Sequence, residues 1–182
     1  MTVAWMLVEA GVALYAARGA ESVALLAFGS DSVVEMLSAI VVLLQFTSAV
    51  RIPERTASRA AGILLLVLAA VVAVIAVGAL AMGWHAETSV AGMAITIAAL
   101  AAMPVLAWLK RSEARRCGNA ALAADAVQSA TCAWLAFATL AGLVLNAAFH
   151  VPWVDSAAGL IAVPLLVKEG RSAWRGQGCG CP

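Results

Sequence analysis

Charged side chains are scarce in this sequence. Asp, Glu, Lys and Arg make up 12% of the 182 residues, whereas hydrophobic residues make up 64% and the mean hydropathy is +1.00. Because charged residues account for about a quarter of a typical soluble domain, this composition excludes an ordinary soluble domain and predicts an integral membrane protein. The net charge is only +1, and the eleven Lys and Arg residues are clustered in a way that nucleic-acid binding would not need.

Three further features are missing. The first 17 residues contain no basic side chain ahead of the apolar run, so a cleavable signal peptide is not indicated and the first apolar segment is expected to stay in the protein. The apolar runs show no period-2 alternation, which argues against a membrane barrel. The four cysteines lie within an apolar run or beside basic segments, so reduced thiols are expected rather than a disulfide framework.

Long apolar runs dominate the chain. Most of them reach the ~20 residues that a helix needs to span a bilayer. The six apolar segments are residues 3–17, 22–50, 60–83, 89–109, 120–149 and 154–167. The expected fold is an all-α bundle of six transmembrane helices formed by residues 1–170, followed by a short cytoplasmic tail, residues 171–182, that contains Gly and Cys.

Basic residues orient this bundle, because they follow the second, fourth and sixth segments. They are Arg51, Arg55, Arg59, Lys110, Arg111, Arg115, Arg116, Lys168, Arg171 and Arg175. The positive-inside rule places these exits, and therefore both termini, in the cytoplasm of a multi-pass protein of the cell (inner) membrane. Most tryptophans lie near segment ends, as interfacial anchors do, whereas Trp134 lies mid-segment and is expected to pack inside the bundle.

Two carboxylates interrupt the second apolar segment. Asp31 and Glu35 stand four residues apart, which places both side chains on one face of a helix, about 6 Å apart. A charge inside a membrane costs at least ~2.5 kcal/mol on insertion scales. Because adjacent carboxylates repel each other unless a cation or a shared proton lies between them, the pair favours a functional site over a simple helix–helix contact.

An internal repeat gives this pair a counterpart. Residues 22–35 align with residues 119–132, and in this alignment Asp31 coincides with Gln128 and Glu35 with Cys132. The two segments are three crossings apart and therefore run in opposite directions. This arrangement predicts an inverted three-helix repeat with a binding site between the second and fifth helices.

The four paired side chains form a plausible donor set for a metal. Asp31 and Glu35 offer carboxylate oxygens, Gln128 a carbonyl oxygen and Cys132 a thiolate, a mixture that suits a divalent ion of the zinc type. The expected cargo is zinc, with cadmium, cobalt, iron or manganese as alternatives. Because ligands must lose their protons to bind metal, metal and protons displace one another, which is the basis of antiport.

Simpler interpretations of single residues remain open. Gln128 alone would fit a hydrogen bond between helices, and Cys132 alone would fit a small buried apolar residue. Asp125, one helical turn before Gln128, could be a fifth ligand, an acceptor that orients the site, a proton acceptor or a structural link between helices.

Other polar residues are candidates for accessory or proton-pathway roles. Glu9, midway along the first segment, must face the bundle interior or stay protonated. Asp155 could cap the start of a helix or take part in the pathway. The tail thiols Cys179 and Cys181 could hand over a soft metal, or they could be incidental residues of a disordered end.

Residues 8–39 and 119–142 resemble the second- and fifth-helix regions of cation diffusion facilitator transporters, and residues 154–170 resemble their sixth helix. The resemblance implies a six-helix homodimer that exchanges zinc or a related divalent ion for protons. Asp31 and Glu35 match the family's second-helix positions, whereas Gln128 and Cys132 replace an expected His and Asp.

Two more positions, Glu9 and Asp125, match residues common in the family. The chain ends soon after the sixth segment, which implies a short variant without the family's cytoplasmic C-terminal domain.

The sequence therefore predicts a transporter rather than an enzyme. It would move divalent metal ions out of the cytoplasm by proton antiport. The alternative from another class is a membrane metal sensor or adaptor that binds without transporting and presents metal through its Cys tail. A third possibility is a purely structural bundle whose carboxylates stay protonated.

Overall fold

The structure is a computed structural model that describes residues 2–46, 54–83, 86–118, 120–149, 151 and 153–175. These residues form six helices and no strand, so the all-α prediction is confirmed for them. The helices are α1 (Thr2–Ala20), α2 (Val23–Phe46), α3 (Glu54–Met82), α4 (Val90–Cys117), α5 (Ala120–Phe149) and α6 (Trp153–Trp174).

Five stretches within these helices are long and apolar enough to cross a membrane. They are Thr2–Ala20, Val23–Ile40, Gly62–Met82, Val90–Arg116 and Asp125–Phe149. They indicate a membrane-spanning protein. The sixth helix, α6, contains Asp155, Lys168 and Glu169 and is not among the five.

Several helices continue beyond the apolar runs. α3 begins at Glu54, before its run starts at residue 60, and α4 continues to Cys117, eight residues beyond the end of its run at residue 109. The added residues include Arg, Lys and Glu, which are good helix formers. α4 ends where Gly118 adopts a φ of +62°, a left-handed C-cap. As a result, Lys110 lies on a helix and not in a loop.

Small residues allow the closest helix contacts. α3 packs along α6, α4 along α5, and α1 along α2. A Cβ at Gly62 would lie 2.6 Å from the backbone N of Trp174, and one at Gly170 would lie 2.9 Å from Leu66 Cγ. Only glycine fits this approach of α3 to α6, as is common where membrane helices meet. The part of α3 without polar side chains therefore packs on neighbouring helices, and its opposite face is exposed.

α2 lies at the centre of the bundle, in contact with α1, α3, α5 and α6. One face of the neighbouring helix α5 packs against α2. Trp134 of α5 does not lie on that face, so the prediction that Trp134 packs inside the bundle is wrong. Trp134 is 68% exposed and stacks edge-on against Phe137, with 6.3 Å between ring centroids. The side chain lies two residues beyond Cys132, about 200° further round the helix, and therefore points away from α2.

Candidate functional site

The middle of α2 meets the middle of α5. Ser32 Oγ and Cys132 Sγ are 4.0 Å apart, and one turn further along α2 the Ser129 hydroxyl donates a hydrogen bond to Glu35 Oε1. The contacts advance along α2 as they recede along α5, so the two helices are antiparallel here. Glu35 lies 12 residues from the start of α2, about 18 Å along its axis, which places this contact deep in the bundle.

A lysine from α4 completes the first group of buried polar residues. Lys110 Nζ lies 3.2 Å from Glu35 Oε1 and 2.9 Å from Asp125 Oδ2, and it donates a 2.7 Å hydrogen bond to Ser129 Oγ. Only 7% of Lys110 is exposed. We call Glu35, Lys110, Asp125 and Ser129 the lysine cluster. It joins α2, α4 and α5 through a buried ion-pair network.

The sequence pattern did not indicate Lys110 as a site residue, because Lys110 stands at the end of an apolar run and is followed by several arginines. Among the residues that the structure describes, it is the only buried basic side chain. A signal was nevertheless present, because Lys110 continues the buried stripe of α4. It follows the buried Ala99 and Met103 at helical spacing and is followed by the buried Ala114.

Four buried polar atoms near the α2–α5 contact have no hydrogen-bond partner in the described part of the chain. They are Asp31 Oδ2, Glu35 Oε2, Asp125 Oδ1 and Gln128 Nε2. Buried polar groups are almost always hydrogen-bonded, and each exception requires an explanation. All four belong to the residues singled out from the sequence, so the unpaired buried polar atoms of the described residues lie on α2 and α5.

A second group of polar residues surrounds Glu9 of α1. Glu9 Oε1 accepts a 2.7 Å hydrogen bond from the Ser32 hydroxyl and a 3.5 Å one from the Cys132 thiol, while Oε2 accepts a 2.6 Å bond from Trp5 Nε1. We call Trp5, Glu9, Ser32 and Cys132 the Glu9 cluster. Glu9 faces the bundle interior, one of its two predicted options, and both of its oxygens have donors. Cys132 is a free, buried thiol that acts as one of those donors.

The charges in this part of the bundle do not balance. Glu9, Asp31, Glu35 and Asp125 are each 2% exposed or less. The only basic side chain among the described residues of this interior is Lys110, which can neutralise one carboxylate. An uncompensated buried charge costs several kcal/mol, of order 3–5, so the remaining carboxylates require protons or a bound cation.

Asp155 lies apart from both clusters. Its Oδ1 accepts a 2.5 Å hydrogen bond from the Ser22 hydroxyl, and its Oδ2 accepts backbone bonds from Val23 (2.7 Å) and Ala24 (3.4 Å). Asp155 therefore caps a helix, as one of its two interpretations held, but it caps α2 and not its own helix. The cap joins the first residues of α2 to the first turn of α6.

The predicted ligands are neighbours without a metal-binding arrangement. Within residues 2–46, 54–83, 86–118, 120–149, 151 and 153–175, no group of three or more His, Cys, Asp or Glu side chains could hold a metal ion as they stand. The four-ligand metal site thus remains a prediction. Cys179 and Cys181 lie outside the described residues.

No family model matches the chain, and no curated protein matches it. Inferences about its function therefore depend on the residues and their geometry.

Proposed function

We propose that the protein transports divalent metal cations across a membrane in exchange for protons, most simply as an exporter from the cytoplasm. The cation would bind between α2 and α5, against the carboxylates of Asp31, Glu35 and Asp125. Gln128 would contribute its carbonyl oxygen after a rotation of the side-chain amide, and Cys132 only if it released Glu9. An oxygen-only set suits Mn²⁺ at least as well as the Zn²⁺ expected from the sequence.

One observation carries this proposal: three buried carboxylates of α2 and α5 each keep an oxygen atom without a donor in the described structure. A structural carboxylate inside a bundle has its oxygens bonded, since leaving a buried acceptor unpaired costs about 1–3 kcal/mol. An unpaired carboxylate oxygen is therefore expected where the carboxylate binds a species that enters and leaves the protein. A cation, a proton or a water molecule can bind an unpaired carboxylate oxygen, and the first two are the species that antiport exchanges.

The same carboxylates would couple the two fluxes. Each can carry either a proton or a share of the metal's charge, but not both, so the metal must expel protons on entry and protons must expel the metal. Because Lys110 neutralises only one of the buried carboxylates, the bundle without a metal requires additional protons. Exchange then keeps the buried charge nearly constant during transport.

The topology that this mechanism needs has indirect support. α6 is 22 residues long, about 33 Å, enough for a sixth crossing with both termini in the cytoplasm. Most helix contacts support the inverted repeat, because α1–α2 corresponds to α4–α5 and α2–α3 to α5–α6, while α1–α4, α2–α5 and α3–α6 join the two halves. The contact between α2 and α6 has no comparable α3–α5 counterpart among the described residues. Location in the cell membrane and assembly as a homodimer follow from the basic residues and from the resemblance to cation diffusion facilitators.

Transport into liposomes tests the proposal. Purified protein would be reconstituted with a metal-sensitive dye inside, and uptake of Zn²⁺, Cd²⁺, Co²⁺, Fe²⁺ and Mn²⁺ would be measured with and without a pH gradient. Asp31→Asn should lower the flux more than about tenfold, because it removes a charge from the cation position. Glu113→Gln is the matched control, since Glu113 is an acid on the exposed side of α4, and its flux should stay within about twofold of wild type.

The results separate the candidate functions. If the wild-type protein transports none of the five metals, the proposal is overturned. Tight stoichiometric binding without flux would instead indicate the sensor or adaptor. Equal flux in wild type and Asp31→Asn would show that transport uses another site.

A further inference from the structure

Lys110 occupies the position that a cation would take. Its ammonium lies within 3.2 Å of oxygens from both Glu35 and Asp125, which come from different helices. No other described basic side chain approaches these carboxylates. The lysine cluster is thus already a loaded cation site, in which the cation is covalently attached to α4.

The unpaired oxygens lie on the same two carboxylates. Glu35 uses Oε1 for Lys110 and leaves Oε2 without a partner, and Asp125 uses Oδ2 and leaves Oδ1 without one in the described chain. A divalent cation that bound the free oxygens would stand a few ångströms from the ammonium. In a medium of low dielectric, two cations at such a distance repel each other strongly, so the two cannot share the site.

The lysine is also able to leave. An ammonium on a flexible four-carbon stem makes point-charge contacts without fixed orientation and can move without disturbing the helix. Lys110 stands seven residues before Cys117, where α4 ends, and its next neighbour Arg111 is exposed. Its side chain therefore lies near the end of α4 where the side chains already meet solvent.

We propose that Lys110 is a tethered competitor of the transported cation: its ammonium holds Glu35 and Asp125 when no metal is bound, and a divalent cation must displace it to bind. This inference rests on the proposed function, because it assumes that these carboxylates receive a metal. The ammonium keeps its charge throughout. It lowers the metal affinity so that the metal can be released, and it keeps the carboxylates compensated while the site is empty.

Metal binding by variants of the full chain tests the competition. Lys110→Met keeps the length of the side chain and removes its charge, and Arg111→Met removes the same charge from the exposed neighbouring residue. Binding of Zn²⁺, Cd²⁺ and Mn²⁺, each alone, would be measured in detergent or nanodiscs. If the ammonium occupies the site most of the time, Lys110→Met should bind about 10- to 100-fold more tightly, and Arg111→Met should bind like wild type.

A second measurement needs no variant. The sequence contains two lysines, Lys110 and the exposed Lys168. An amine-directed acylating reagent followed by mass spectrometry compares them within one sample. Saturating metal should increase modification of Lys110 several-fold relative to Lys168, because the displaced ammonium becomes accessible.

Each outcome is decisive. Tighter binding by Lys110→Met together with increased labelling of Lys110 supports the inference. If the wild-type protein binds metal and Lys110→Met binds it equally well or more weakly, the inference is overturned and the proposed function is left intact. If Lys110→Met does not fold, the labelling experiment on the wild-type protein decides. The inference is overturned if saturating metal leaves the modification of Lys110 unchanged. Failure of both wild type and Lys110→Met to bind any of the three metals overturns the proposed function and this inference with it.

Discussion

Asp155 and Asp31 are both buried aspartates, 0% and 2% exposed, yet they stand in opposite situations. Asp155, in the first turn of α6, accepts hydrogen bonds on both oxygens, from the Ser22 hydroxyl and from backbone N–H groups at the start of α2. Asp31, in the middle of α2, has an Oδ2 atom without any donor in the described structure. The start and the middle of α2 therefore meet the same type of side chain in different ways: the start is capped by Asp155 of α6, and the middle carries Asp31 itself.

The difference separates stabilisation from function. The first N–H groups of a helix have no partners within it and favour a negative charge, so Asp155 supplies what α2 lacks. Asp31 has a hydrogen-bond contact with Cys132 but leaves its Oδ2 unpaired in the described structure, and its burial has a cost. A residue that costs stability and persists in a packed interior is expected to serve a ligand.

The largest expected effect on the fold is that of Asp155→Ala. The change leaves the Ser22 hydroxyl and the first N–H groups of α2 without their buried acceptor, and it should lower the free energy of unfolding by about 3 kcal/mol. Thermal unfolding in detergent would measure it. Asp155→Asn keeps one acceptor oxygen and should lose about half as much.

Transport by the Asp155 variants provides the check. Below its unfolding temperature, Asp155→Ala should transport metal like wild type. A folded variant without flux would show that Asp155 belongs to the transport pathway and would remove the contrast with Asp31.

The next effect has the opposite sign. Asp31→Asn should unfold at the same temperature as wild type or a few degrees higher, because a neutral amide replaces a buried carboxyl group that must take up a proton when no metal is bound. The same thermal measurement applies, with metal excluded by a chelator. A decrease as large as that of Asp155→Ala would show that Asp31 is a structural link between helices.

The number and order of the helices could be predicted from the sequence, since a bilayer forces each apolar run to satisfy its own backbone hydrogen bonds. The helix ends could not. Hydropathy falls at Lys110, but the helix continues to Cys117 because backbone bonding does not depend on the polarity of the side chains. The predicted boundary of residue 109 thus placed Lys110, a buried residue of the bundle, outside the helix.

Candidate site residues were recognisable where a charge stands within an apolar run, as Asp31, Glu35, Asp125 and Glu9 do. Their partners were not. The repeat aligns α2 with α5 and contains no information about α1 or α4, so it could not indicate that Cys132 would meet Glu9 or that Glu35 would meet Lys110. Those contacts depend on how four helices pack, which spacing along one helix does not determine.

The smallest expected effect is that of Cys132→Ser, which tests on which side of the comparison Cys132 falls. Its thiol donates a hydrogen bond to Glu9 Oε1, just as Ser22 and the backbone of α2 donate hydrogen bonds to Asp155. A serine hydroxyl can make the same bond to Glu9. The unfolding temperature should therefore stay close to that of wild type, and the fluxes of Mn²⁺ and Cd²⁺ should stay within about twofold of the wild-type fluxes. If Cys132 is instead a thiolate ligand, as the sequence predicts, Cd²⁺ flux should fall more than about tenfold while Mn²⁺ flux is retained, because sulfur favours the softer metal. The ratio of the two fluxes in one set of liposomes cancels differences in protein content and decides whether Cys132 binds Glu9 or the metal.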